Sequence, residues 1–161
     1  MTIRRAGTAL VLAFALLAGR PARADIEVSG AWTRVTPPGV TVAVGYFTLK
    51  NTGTGSRELL KITSPLAERI SLHRSSVDAN GVSRMWPVGK LELAPGEVRR
   101  FEPNGYHLML EGLAAPLRAG TRIPVTMVFE DEDPVVMQLE VRPLVEAGAP
   151  ADPHAGHPGH R

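Results

Sequence analysis

Gly105-Tyr106-His107-Leu108-Met109-Leu110 alternates strictly, with Tyr106, Leu108 and Leu110 on one parity and His107 and Met109 on the other. A period of two marks a half-buried β-strand, because successive side chains point to opposite faces of a sheet. Working outward, short apolar or β-branched runs recur at 26–35, 40–50, 57–62, 68–75, 82–88, 98–101, 122–129 and 135–141. Between them fall Thr36-Pro37-Pro38-Gly39, Asn51-Thr52-Gly53-Thr54-Gly55, Asp78-Ala79-Asn80-Gly81, Ala94-Pro95-Gly96 and Pro103-Asn104-Gly105. Each carries turn chemistry. With no long helical periodicity and no internal repeat, the pattern predicts an all-β sandwich or barrel.

The two ends of the chain are different in kind. Arg4 and Arg5, the apolar run from Ala9 to Ala18 and Ala22-Arg23-Ala24 have the form of an export signal over 1–24, with cleavage expected after Ala24. The apolar run is about ten residues, short of the roughly 20 that a membrane-spanning helix needs, so the mature protein is expected to be exported and soluble. Removing the signal takes four of the 18 Lys+Arg and none of the 16 Asp+Glu, leaving a net charge of −2. The basic balance of the whole sequence is therefore misleading, and no basic patch with interleaved aromatics supports nucleic-acid binding. Residues 25–145 form one predicted domain, large enough for a hydrophobic core. From Glu146 onward Ala, Gly, Pro and His predominate, which predicts a disordered tail over 146–161.

Parity then sorts the chemistry-bearing residues. Ile70 and Leu72 form an inward pair, leaving His73 with Ser71 and Arg69 on the other face. In the 82–88 run, Val82, Trp86 and Val88 are the inward candidates, with Arg84 an imperfect member, so Met85 faces outward with Ser83. His73, Met85, His107 and Met109 all fall on the polar parity. Met127 keeps step with Ile123, Val125 and Phe129, and Met137 with Val135, Leu139 and Val141, so these two are expected to fill the core.

Thioether sulfur is a poor ligand for most metals and a good one for Cu(I), while imidazole serves several ions. Two His and two Met therefore point to monovalent copper. The absence of cysteine excludes a blue-copper centre, which needs a thiolate, and also excludes a disulfide framework. A shared site sets a geometric condition on the 73–85 hairpin. A two-residue Asn80-Gly81 turn makes opposed residue numbers sum to an odd value and puts His73 and Met85 on opposite faces. A three-residue loop over 79–81, with Gly81 left-handed, makes the sum even and puts both on one face.

The order His73, one residue, ten residues, Met85, 21 residues, His107, one residue, Met109 resembles the signature of the periplasmic Cu(A) copper chaperone family, the PCuAC type. The likeness extends through Gly30-Ala31-Trp32, Tyr46-Phe47-Thr48-Leu49, Asn51-Thr52-Gly53, Ser64-Pro65 and Met85-Trp86-Pro87-Val88. It implies a cupredoxin-like Greek-key β-sandwich in the periplasm. It also implies one Cu(I) held by those four residues and delivered towards the Cu(A) centre, with cytochrome c oxidase subunit II or another copper chaperone as receiver. Arg74 departs from the family, where Met is usual after the first His. A neighbour in a strand points the other way, so the four-ligand set is expected to survive.

In the tail, His154, His157 and His160 recur every third residue, so in a polyproline-II conformation they would lie along one edge, a grouping suited to Cu(II) or Zn(II), and the family resemblance implies Cu(II). Two other readings compete for the domain: an exported interaction module with no metal role, and a copper redox enzyme. The enzyme reading needs a nucleophile-base pair, a further cofactor or a second metal motif, and the sequence offers none. A non-enzymatic carrier is the expectation.

Overall fold

The structure is a computed structural model and describes residues 25–144. The expected signal over 1–24 and the expected tail over 146–161 lie outside the described residues. The fold is all-β and cupredoxin-like. Its strands are β1 (Ile26–Arg34), β2 (Val42–Asn51), β3 (Arg57–Thr63), β4 (Ala67–Val77), β5 (Ser83–Pro87), β6 (Leu91–Leu93), β7 (Val98–Phe101), β8 (Tyr106–Leu113), β9 (Arg122–Phe129) and β10 (Val135–Arg142). They hydrogen-bond in one open sheet of order β5-β4-β8-β7-β2-β1-β10-β9-β3-β6, with β8 also pairing β2. β2 and β3, neighbours in sequence, lie far apart in that order, the long crossing of a Greek key.

The sheet folds over so that the inner face of β2 and β8 meets that of β9 and β10. Leu49, Leu108 and Leu110 share one buried cluster with Val125, Met127, Phe129, Met137 and Leu139. Gly45 lies at a point of close approach: a Cβ there would sit 3.1 Å from the Leu139 side chain, leaving no room for a larger residue without displacement. β1 carries the chain between the two leaves. It pairs β2 along most of its length, its register shifts between Ser29 and Trp32, and its last residues pair β10 in parallel. Gly30 takes φ +61 within that irregularity, a conformation that costs glycine nothing.

Met127 and Met137 are buried as parity predicts. The sequence reading missed β6, whose Leu91 and Leu93 are fully enclosed. A three-residue strand is too short for its alternation to register. Asn51, itself fully buried, ties this segment down by donating from Nδ2 to the Leu93 and Gly55 carbonyls. The second correction is larger. Trp86 and Val82 were expected to point into the core, yet they are 47% and 49% exposed, because Trp86 lies in β5 at the open edge of the sheet and Val82 in the turn that leads into it. Inward parity there leads to the back of a hairpin rather than to buried volume.

Candidate metal-binding site

The β4–β5 hairpin closes through a three-residue loop. Asp78 N donates to Val82 O, Gly81 N donates to Asp78 O, and Gly81 has φ +79. The Asp78 carboxylate accepts from the Asn80 and Val82 amides and fixes the turn from inside. Ser75 therefore opposes Met85, and His73 opposes Pro87. On the other side of β4, His73 opposes His107 and Ser71 opposes Met109. Cross-strand partners share a face, so the register brings His73, Met85, His107 and Met109 onto the outer side of β5, β4 and β8.

Three of the four are in close association. The His73 and His107 rings lie 6.0 Å apart at 27°. His107 Nε2 is 3.3 Å from Met85 Sδ. His107 Nδ1 is 3.1 Å from Gly105 O. A carbonyl can only accept, so Nδ1 carries the proton and the Nε2 lone pair is turned towards the sulfur. Met109 is placed by register alone, two pairs along from His107 and flanked by Ser71 and Val44. Exposure is uneven: Met85 is 51% exposed while His107 is only 6% exposed. The site is thus an outer-face site with a buried floor, less open than the sequence parity implies.

His73 carries the sharpest polar anomaly among the described residues. Its Nδ1 is buried without any hydrogen-bond partner. Buried polar atoms are rarely left so, and a vacant imidazole lone pair beside a second imidazole and a thioether is a donor set for a soft cation. Burial, and secondarily the neighbouring His107, hold the His73 pKa below its usual value and favour the neutral ligating form. Among the described residues no three His, Cys, Asp or Glu side chains gather into a metal-holding group, so a site here needs the methionines.

Parity alone did not reveal the polar chain behind His73. His73 Nε2 lies 3.1 Å from Ser71 Oγ, which donates to Glu111 Oε2 at 3.3 Å, and Glu111 is bridged by Arg69 at 2.7 Å. The Arg69 hydrogen bond lowers the Glu111 pKa and keeps it an acceptor. The signal was present in the sequence, since residues 69, 71 and 73 share a parity. Nothing in spacing says that their side chains touch.

The back of the hairpin has its own surface. Arg74, Ser76, Trp86, Pro87, Val88 and Tyr106 line a hollow of about 530 Å³. The Arg74 guanidinium lies 5.4 Å from the Tyr106 ring centre, on the opposite side from His73. The outer face continues past the site to Tyr46 and Trp32, whose rings are 4.7 Å apart, with Arg34 and Arg142 over the indole.

Comparison with known proteins agrees on the fold. The copper-bound PCuAC domain from PmoF2 superposes with a TM-score of 0.62 at 21% identity, covering 74% of this chain and 93% of that domain, which is a likeness of fold. The solution structure of apo-DR1885 from Deinococcus radiodurans matches with a TM-score of 0.57 at 25% identity, covering 91% of this chain and 97% of that one. Its Cu(I) form matches at 0.57 and 26%, covering 75% and 81%. In sequence, Lxx21020 of Leifsonia xyli subsp. xyli (strain CTCB07) is 37% identical over 107 residues, 66% of this chain. The chain spans 63% of the length of that relative. RP573 of Rickettsia prowazekii (strain Madrid E) is 30% identical over 125 residues, 75% of this chain and 68% of that one. A family model with the description "Putative lipoprotein LpqE-like" matches residues 26–141, and the chain belongs to this LpqE-like family.

Proposed function

We propose that this protein is an exported copper carrier. It holds one Cu(I) through His73, Met85, His107 and Met109 and passes it to a copper-receiving protein such as cytochrome c oxidase subunit II or another chaperone. The observation that carries the reading is the approach of His107 Nε2 to Met85 Sδ at 3.3 Å beside the orphaned Nδ1 of His73. The His107 nitrogen and the Met85 sulfur are in contact, and the His73 ring stands beside the His107 ring with 6.0 Å between centres. The likeness to the Cu(I) form of DR1885 at 26% identity supports the same cargo.

The exposure gradient suits transfer. A receiver meets Met85 first and can displace it while the buried imidazole of His107 still holds the ion. Thioether exchange is rapid and needs no deprotonation, so release does not depend on an acid or base. The strands hold the ligands in place, and little ordering entropy opposes loading. Export over residues 1–24 and Cu(II) capture by His154, His157 and His160 belong to the same proposal. Cu(II) titration of a chain cut before residue 150 tests the tail: unchanged stoichiometry disposes of that part alone.

The central test is Cu(I) stoichiometry against a competing chelator for the wild type and His107→Ala. One tightly held ion in the wild type and a loss of at least about tenfold in affinity in the variant are expected. Equal tight binding by both rejects the site.

A further inference from the structure

The chain His73, Ser71, Glu111, Arg69 constrains more than the orientation of one ring. A serine hydroxyl has a single proton. The Glu111 carboxylate, ion-paired to Arg69 at 2.7 Å, can only accept, so that proton goes to Glu111. Ser71 Oγ is then the acceptor for His73, and the proton on His73 must sit on Nε2, 3.1 Å away. Nδ1 is left with a buried lone pair and no partner, which is the orphan observed. His107 is fixed the other way, with Nδ1 held by Gly105 O and Nε2 turned to the Met85 sulfur.

Resting on the copper reading above, we propose that Ser71 and Glu111 are positioning residues that fix His73 as an Nδ1 ligand, while His107 binds through Nε2. The two imidazoles on directly opposed positions of β4 and β8 thus offer different nitrogens. The proton on each non-ligating nitrogen is anchored to the protein, to a carboxylate relay in one case and to a main-chain carbonyl in the other. Such anchoring fixes the tautomer before the metal arrives and raises ligand basicity. It also explains how a domain with two histidines can present both lone pairs in advance. The relay lies beside the cargo and does not touch it, so copper exchange leaves it in place.

Nitrogen-edited NMR of the imidazole rings decides the matter, in the metal-free protein and with one equivalent of Cu(I). The expected spectra show His73 protonated on Nε2 and His107 on Nδ1 in both states, with the metal-induced shift on His73 Nδ1. Ser71→Ala is expected to weaken Cu(I) binding about tenfold or more and to mix the His73 tautomers. Ser71→Thr, which restores the hydroxyl, is expected to recover both, and Glu111→Gln, which keeps an oxygen acceptor, to stay closer to the wild type than Glu111→Ala. A loaded protein with its proton on His73 Nδ1, or Ser71→Ala binding Cu(I) as tightly as the wild type, overturns the proposal. A wild type that binds no Cu(I) overturns the carrier reading instead, and the metal-free spectra still judge the relay: Nδ1–H on His73 defeats it independently of copper.

Discussion

Met85 and Met109 on the outer side of β5 and β8, and Met127 and Met137 on the inner side of β9 and β10, place one side chain in two opposite situations. Met127 and Met137 are enclosed by leucines, valines and Phe129, where thioether flexibility fills irregular volume. Met85 is half exposed at the sheet edge with its sulfur against an imidazole. Placing a methionine there buries little apolar surface, so its contribution to folding is small and its chemistry is what remains. The difference teaches that the residue type alone assigns no role. The face and the neighbour do.

The largest expected effect would break the comparison from the core side. Met127→Ala is expected to destabilise the fold by about 2–5 kcal/mol in urea unfolding, through lost transfer energy and a residual cavity. The folded fraction is expected to keep its Cu(I) stoichiometry. From the other side, Met85→Ala is expected to change stability by no more than about 0.5 kcal/mol. Its Cu(I) affinity is expected to fall by about tenfold or more, measured by chelator competition. If the two variants behaved alike in both assays, the division between core and site methionines would be lost.

A smaller effect sharpens the comparison by moving the hairpin instead of its ligands. Gly81→Ala meets no neighbouring atom within 4 Å, so its penalty is the left-handed backbone alone. About 1 kcal/mol of stability is expected to go, with a modest parallel loss of Cu(I) affinity. The smallest effect concerns the framework and should leave copper untouched. The Ala94 amide, and then Arg99, hold the Glu97 pKa below its usual 4.5. A depressed carboxylate contributes stability above that usual value and loses it as pH falls through the lower folded value. Glu97→Gln is therefore expected to show less acid-dependent loss of stability between neutral pH and about pH 3, with unchanged Cu(I) stoichiometry in thermal melts and titrations.

Where apolar alternation meets a buried face, the sequence was readable. β2, β9 and β10 run buried and half-buried or exposed in turn, and their parity named Met127 and Met137 as core. The hairpin loop was readable too, because a shared face for His73 and Met85 demands an odd number of loop residues, and the register agrees. Parity misled at Trp86. It reports which side a residue faces and not whether anything covers that side, and β5 is an edge strand whose residues are all exposed. The relay through Ser71 and Glu111 was hidden for another reason: hydrogen bonding between strands depends on register, which no single strand encodes. The expected export signal and histidine tail rest on sequence pattern alone and lie outside the described residues.

The loop at residues 79–81 also limits how this protein can change length. A one-residue insertion or deletion between His73 and Met85 that preserves the strands reverses every side chain of β5. Met85 would then face the Arg74 side, and Trp86 would stand where the sulfur had been. Length variation in this hairpin therefore comes in twos. A genetic library of insertions at this turn should separate into functional even changes and non-functional odd ones, although none of the four proposed ligands has been altered.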